Sequence, residues 1–240
     1  IGGRVTREAT LPGLNTWARV RDYRSYHLNQ SADVEIYRDS PLTVGDLRDF
    51  GADHIVIATG ASWTTPEGSQ FLSPDDIMNG TQPTDETTVF DDEHFYMASL
   101  IAEQLAQNGV PTTYATSQPT VASWSDHTLE QGRIIARLKS LNVALHVNAS
   151  LQGDQLVNTL TGEETKLSGT LVSVGTRTSN DTLFQAACKT LGPEAVTLCG
   201  DALVPGTIQA AVHSGHRIAR QLLGDPLAGA TVNREIPQIL

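Results

Sequence analysis

Two short apolar runs that each stop on a glycine constrain the fold of this chain most strongly. The first spans residues 54–60 and ends Ala58-Thr59-Gly60, and the second is Leu198-Cys199-Gly200-Asp201. Unbroken aliphatic and β-branched runs are typical of parallel strands that are buried on both faces. Glycine at the carboxyl end of such a strand lets a ligand approach the backbone. Each run alone is also compatible with a strand that ends in an ordinary turn.

The segment between the two runs alternates between strand and helix patterns. A helix is predicted from His94 to about Asn108, and its apolar residues recur at helical spacing: Ala98, Ile101, Ala102 and Leu105. A second helix is predicted from His127 to about Leu141, and a polar meander follows at 151–167. The predicted strands are 87–91, 110–115, 143–147 and 171–174. A strand, helix and strand within about 30 residues form a βαβ unit, so the pattern predicts an α/β fold.

Several flanking elements also follow from local signals. Ser73 before Pro74 and two acidic residues predicts a helix start. The remaining predictions are a short strand at Val34–Tyr37, a helix or turn at Pro41–Gly51, a linker or domain crossing at Gly80–Glu86, and a final helix at about Thr207–Leu223. One stripe is predicted on that final helix: Ile208, Ala211, Val212, Gly215, Ala219 and Leu222.

Composition excludes several classes of protein. The net charge of −11 argues against nucleic acid or an anionic membrane as the main partner, since both need a basic face. Only Cys188 and Cys199 are present, which rules out a disulfide framework, a structural zinc site and a four-cysteine iron–sulfur cluster within this chain. We expect a cytoplasmic protein. Because Ile1 is neither an initiator Met nor part of a start signal, we expect a fragment of a longer chain.

An ordered set of motifs resembles one family of flavoproteins. The whole chain looks like the carboxy-terminal part of trimethylamine dehydrogenase and its relatives, the dimethylamine and histamine dehydrogenases and, more distantly, 2,4-dienoyl-CoA reductase. The motifs that carry this resemblance are Gly2-Gly3-Arg4-Val5-Thr6-Arg7-Glu8, Leu11-Pro12-Gly13-Leu14, Trp17 with Arg21-Asp22-Tyr23-Arg24, Gly51-Ala52-Asp53-His54, Pro74-Asp75-Asp76, Asp91-Asp92 with Tyr96-Met97, Thr128-Leu129-Glu130-Gln131, and Gly215-His216-Arg217.

The resemblance implies two Rossmann-like, three-layer α/β domains, one inserted in the other. The outer FAD- or ADP-type domain would comprise 1–82 and 189–240 and would lack its first βαβ unit. The inserted NAD(P)-type domain would be 83–188. Family members also carry an N-terminal barrel that holds FMN and a [4Fe-4S] cluster, and this chain contains neither. We therefore expect an accessory region without catalytic residues, which is inactive alone.

The resemblance also implies where cofactors and partners would bind. Adenine-nucleotide contacts, from ADP or the ADP moiety of FAD, would lie along Gly2, Gly3, Arg4, Thr59, Gly60 and Asp201. The expected partners are the N-terminal barrel of the parent chain and an electron-transferring flavoprotein, and the parent is expected to be a homodimer.

The turn after the first strand of the inserted segment argues against a nicotinamide cofactor. A diphosphate needs small residues there so that backbone N–H groups can reach it. Residues 90–97 contain no glycine, and Asp91, Asp92 and Glu93 are expected at the helix N-terminus, where they would repel a diphosphate. We interpret these acids as capping residues and predict no metal site. The alternative is a fragment of a reductase of the dienoyl-CoA reductase type that uses FAD and NAD(P).

Overall fold

A computed structural model describes residues 1–66 and 71–224. Its contacts divide the chain into two compact units: unit 1 comprises Ile1–Ile36 and Ser62–Thr178, and unit 2 comprises Tyr37–Ala61 and Ser179–Leu240. These boundaries differ from the predicted ones, since 1–36 and 62–82 group with the central segment. The assignment of 1–82 and 189–240 to an outer domain and of 83–188 to an inserted domain stays a prediction.

The helices and strands follow one another in a mixed α/β order. The α-helices are α1 (Gly3–Glu8), α2 (Ala18–Gln30), α3 (Val44–Phe50), α4 (Pro74–Met78), α5 (Met97–Gln107), α6 (Gln131–Ser140), α7 (Thr182–Leu191) and α8 (Ile208–Leu222). The strands are β1 (Ile55–Ile57), β2 (Ala61–Trp63), β3 (Thr87–Asp91), β4 (Thr112–Thr116), β5 (Ala144–His146), β6 (Ala149–Gln152), β7 (Gln155–Asn158), β8 (Glu164–Lys166), β9 (Thr170–Val174), β10 (Arg177–Ser179) and β11 (Val196–Leu198). None of the described helices has the length and apolar content needed to cross a membrane.

Unit 1 is built around a four-stranded parallel sheet in the order β5-β4-β3-β9. In its register Val89 on β3 lies between Tyr114 on β4 and Val172 on β9, and all three side chains are fully buried. Helix α5 packs on β3 and β4. The predicted stripe is confirmed, because Ala98, Ile101, Ala102 and Leu105 are at most 2% exposed. The predicted meander is also confirmed as the antiparallel sheet β6-β7-β8.

Unit 2 contains the two apolar runs as a parallel pair. Ile55 on β1 lies opposite Val196 on β11, and Ile57 lies opposite Leu198. An apolar cluster forms around this pair with side chains from α3 and α7. The prediction of parallel strands is therefore confirmed. The prediction of burial on both faces is wrong, because Val56 is 41% exposed.

Local capping signals place two helix ends as predicted. A capping box formed by Ser73 and Asp76 starts α4, directly before Pro74. The helix predicted before Gly51 is α3, and it ends there because Gly51 adopts a left-handed conformation at φ +67°.

Other sequence predictions need correction. Val34–Tyr37 pairs with no strand in the described part of the chain, and an alternating pattern forms a strand only where a partner strand exists. The helix expected from His94 starts at Met97, because His94 itself has a left-handed backbone at φ +66°. The helix expected from His127 starts at Gln131, after a 3₁₀ turn.

Two further expectations also differ from the structure. The Gly80–Glu86 segment lies inside unit 1, so the predicted linker or domain crossing differs from the boundaries of the compact units and stays a prediction. The stripe on α8 is shifted, because Ile218 is buried while Ala219 and Leu222 are exposed. Spacing alone does not determine which side of a helix faces its neighbours.

Candidate functional site

The turn from β3 to α5 lies at the carboxyl edge of the parallel sheet in unit 1, where nucleotides bind in related α/β folds. Its backbone N–H groups already have acceptors within the chain. The amides of Asp92 and Glu93 both donate to the carbonyl oxygen of Val174, at 2.8 and 3.0 Å. The amide of His94 donates to Oδ1 of Asp91 at 2.8 Å, and that of Met97 donates to Oε2 of Glu93 at 3.3 Å. The turn is therefore closed by the Val174 carbonyl group of β9 and by its own carboxylate groups.

Asp91 is fully buried and organises the strand ends. Tyr114 donates its hydroxyl proton to Oδ2 of Asp91, and the same hydroxyl oxygen accepts a hydrogen bond from the amide of Ala122 at 2.9 Å. Burial raises the pKa of Asp91, while the hydrogen bonds from Tyr114 and the His94 amide oppose that rise. Ala122 has φ +44°, an uncommon conformation for a residue with a side chain, and the Tyr114 hydroxyl helps to hold it there.

Glu93 and Glu8 extend this acidic cluster. Burial, followed by the charges of Asp91 and Glu8, raises the pKa of Glu93 to about 7. Glu8 is fully buried; its Oε2 accepts the Tyr96 hydroxyl at 3.2 Å, and its Oε1 lies 3.4 Å from Nε of Arg4. The expectation of three acids at the helix N-terminus is therefore only partly right. Asp91 lies beneath the turn, Glu93 caps the helix, and Asp92 is exposed.

Asp92 and His94 form the outer side of the turn. His94 Nε2 lies 3.8 Å from Oδ1 of Asp92, and the His94 ring lies edge-on to Trp124 with centroids 6.5 Å apart. Among the described residues, no group of three or more His, Cys, Asp and Glu side chains is placed to hold a metal ion.

Three predicted site residues come together in unit 2, beyond the ends of β1 and β11. The Thr59 hydroxyl donates to the carbonyl oxygen of Asn180, and the Gly60 carbonyl accepts the Asn180 amide at 2.9 Å. The Asp201 carbonyl accepts the Ser179 hydroxyl at 3.0 Å, and Oδ1 of Asp201 accepts the amide of Gly206 at 3.0 Å. Thr59, Gly60 and Asp201 are thus linked through residues 179–180. Gly60 has φ +77° and open space where a side chain would project.

The other three predicted residues belong to unit 1. Gly2 has φ +99°, and a Cβ there would lie 2.6–2.7 Å from the Thr6 and Arg21 side chains. Local packing therefore already requires a glycine at position 2. Gly3 leaves open space, whereas Arg4 has a side chain only 12% exposed and forms the pair with Glu8.

The chain is similar in sequence and in structure to several known proteins. No protein-family model matches the sequence. Dimethylamine dehydrogenase from Hyphomicrobium sp. (strain x) is 26% identical over 92% of this chain. Histamine dehydrogenase from Rhizobium sp. 4-9 is 36% identical in sequence, and its structure matches this one with a TM-score of 0.85 over 92% of the chain. 6-Hydroxypseudooxynicotine amine oxidase from Pseudomonas geniculata N1 is 29% identical in sequence, and its structure matches with a TM-score of 0.82 over 90% of this chain.

The resemblance to trimethylamine dehydrogenase-like flavoproteins is confirmed. The chain spans 37% of the dimethylamine dehydrogenase sequence and 38% of the histamine dehydrogenase chain. The matched region is the carboxy-terminal part of these FMN and iron–sulfur amine dehydrogenases. The trimethylamine dehydrogenase-like homologues are oxidoreductases and flavoproteins. The predicted fold class is confirmed as well, since the parallel sheets are accompanied by structural likeness to FAD- and NAD(P)-binding flavoprotein reductases.

Sequence reasoning missed the residues that complete the closed turn. Tyr114, Ala122 and Glu8 were not candidates, although Tyr114 lies in a strand next to Asp91. Tyr114 could have been found because it lies in the strand that follows the one ending in Asp91, and neighbouring parallel strands bring such side chains together.

Proposed function

We propose that this chain is the carboxy-terminal accessory region of an FMN and [4Fe-4S] amine dehydrogenase and that it is catalytically inactive alone. The proposal rests on one observation: similarity to the dimethylamine and histamine dehydrogenases runs through 92% of the chain but covers only 37–38% of those relatives. The two cysteines of the chain are too few to ligate a four-cysteine cluster.

The test is to purify the chain and record its visible spectrum and its turnover of trimethylamine, dimethylamine and histamine with an artificial electron acceptor. We expect a colourless protein without turnover. Bound flavin together with amine oxidation would contradict the proposal.

Within this function we propose that Gly2, Gly3, Arg4, Thr59, Gly60 and Asp201 are what remains of the contacts to ADP or to the ADP moiety of FAD. The open space at Gly60 supports close approach of a ligand, and the Asp201 carboxylate is a suitable acceptor for ribose hydroxyls. Arg4 fits a phosphate less well, because its guanidinium group is paired with buried Glu8. We therefore expect weak ADP binding by calorimetry. Micromolar affinity, equivalent to about 8 kcal/mol, would contradict this account.

We propose further that unit 1 binds neither NADH nor NADPH. The four turn amides already donate within the chain, and Glu93 occupies the helix N-terminus where a phosphate would lie. Titration with each nucleotide, followed by amide chemical shifts at 91–97, should show no saturable binding below about 100 μM. Saturable binding at that turn would favour the alternative, a reductase of the dienoyl-CoA reductase type.

In the parent protein we propose that this region contacts the N-terminal barrel of a homodimeric enzyme and supports docking of an electron-transferring flavoprotein. Excess isolated chain should then compete for that acceptor. Adding it to histamine dehydrogenase and its flavoprotein acceptor should slow acceptor reduction while leaving reduction of a small dye unchanged. Equal rates with and without the chain would argue against this docking role.

A further inference from the structure

Helix α2 carries a face that the described part of the chain leaves exposed. None of its 13 residues is buried, and its contacts are chiefly with α1 and with the turn at 15–17. Arg19, Tyr23 and Tyr26 are spaced by four and three residues, so they share one side of the helix, and all three are exposed. An isolated helix of this length is only marginally stable in water, so a partner that covers this face would stabilise it.

The charge of α2 is opposite to that of the rest of the chain. Its three arginines and one aspartate give +2, with histidine neutral, whereas the remaining residues together carry −13. Arg21 is paired with Asp22 at 2.7 Å, so Arg19 supplies the positive charge of the exposed face. A partner for this face should therefore be acidic and should offer apolar surface to the two tyrosines.

The loop between β4 and α6 has the complementary chemistry. Residues 117–130 contain two acids, Asp126 and Glu130, and no lysine or arginine, and both acids are exposed. Trp124 is exposed in the same loop, and Leu129 is 88% exposed with a left-handed backbone at φ +61°. That conformation is unfavourable for a residue with a side chain. A leucine held in it and directed at solvent is typical of a contact surface.

The two surfaces belong to the same unit and flank the same turn. Trp17, directly before α2, lies edge-on to Tyr96 with centroids 5.3 Å apart. On the other side of the β3–α5 turn, the His94 ring lies edge-on to Trp124, and the His94 carbonyl accepts the Trp124 amide at 2.9 Å. The start of α2 and the β4–α6 loop are thus both attached to residues 94–96.

We propose that α2 of one copy of this chain docks on the β4–α6 loop of a second copy, and that a two-fold axis repeats the contact. Because both surfaces flank one turn, each copy offers the helix and the loop together, which is what an isologous dimer requires. Arg19 then faces the acids at 126 and 130, and the tyrosines of α2 cover Trp124 and Leu129. This contact gives the proposed homodimer a specific surface, and its test needs no flavin, substrate or activity.

Sedimentation velocity of the 240-residue chain tests the contact. Between about 1 and 200 μM, we expect a monomer–dimer equilibrium that weakens several-fold when NaCl is raised from about 50 to 500 mM, because exposed charges are screened by salt. Arg19→Glu and Asp126→Arg should each raise the dissociation constant at least about tenfold, since like charges then face one another twice in the dimer. Arg48→Glu, the same change at an exposed arginine of α3, should behave as the wild type.

Mixing the two variants tests the two-fold arrangement. In a heterodimer of Arg19→Glu with Asp126→Arg, one contact has both charges exchanged and the other is that of the wild type. The mixture should therefore dimerise about as well as the wild type, although neither variant does so alone. Failure of the mixture to associate would overturn the proposed arrangement.

Leu129→Gly separates loss of the contact from loss of the fold. Glycine adopts a positive φ without strain, so this variant should be at least as resistant to urea as the wild type while its dimer is weakened at least about tenfold. Wild-type protein that stays monomeric at about 200 μM would overturn the contact and leave the proposed accessory role unaffected. A dimer that Arg19→Glu and Leu129→Gly leave unchanged would also overturn it, because the copies would then associate through another face.

Discussion

Removal of one buried hydroxyl should show how much the closed turn contributes to stability. In Tyr114→Phe, the ring keeps its place between neighbouring side chains, but Asp91 loses a donor and the Ala122 amide loses its acceptor. Each buried polar group left without a partner costs about 1–3 kcal/mol. We therefore expect the free energy of unfolding of unit 1 to fall by about 3 kcal/mol. No cavity term is added, since only one oxygen atom is removed.

The assay can be confined to unit 1 because all three tryptophans of the chain, Trp17, Trp63 and Trp124, belong to it. Urea unfolding followed by tryptophan fluorescence gives the free energy for the wild type and the variant. Tyr23→Phe is the matched control, because the Tyr23 side chain is 64% exposed and the change should cost less than about 0.5 kcal/mol. If Tyr114→Phe costs no more than this control, the hydroxyl does not hold the turn and the reasoning is refuted.

Three other changes test the surrounding structure in the same urea assay. Ser73→Ala removes the capping box of α4 and should cost about 1 kcal/mol. Gly169→Ala should lower the free energy of unfolding several-fold more than Gly153→Ala. Both glycines have φ near +70°, but a Cβ at position 169 would lie 2.1 Å from the carbonyl oxygen of Glu86, whereas position 153 has open space. Glu93→Gln should reduce the pH dependence of stability. The raised pKa means that native Glu93 keeps its proton, so this group lowers the stability of the wild type by up to about 3 kcal/mol as pH rises from 4.5 to 7, and the variant lacks that contribution.

Much of the fold could be predicted because its signals are local. The stripe on α5, the capping residues of α4 and the two apolar runs each lie within a few consecutive residues, and the structure has them as helix, helix start and parallel strands. Helices α1, α2 and α7 are absent from the sequence prediction. For α2 the reason is physical: none of its 13 residues is buried, so it has no apolar stripe to recognise.

The start of α5 could not be predicted because it depends on groups far apart in sequence. His94 is held out of the helix by the Asp91 carboxylate, and Asp91 is held by Tyr114, 23 positions later. The candidate site has the same limitation. Composition showed that the turn has no glycine and three acids, but not that Asp91 is buried, Glu93 caps the helix and Val174 accepts two amides.

These contacts change the reason why unit 1 should reject a dinucleotide. Charge repulsion alone is a weak barrier, because burial raises the pKa values of both Asp91 and Glu93 and so favours their neutral forms. The stronger barrier is that four backbone amides already donate hydrogen bonds within the chain, and a diphosphate could bind them only if those hydrogen bonds were broken. At about 1 kcal/mol for each net hydrogen bond, the exchange costs about 4 kcal/mol, or roughly a thousandfold in affinity. Replacing Glu93 with glycine would free only one of these amides, so that change alone should not restore nucleotide binding.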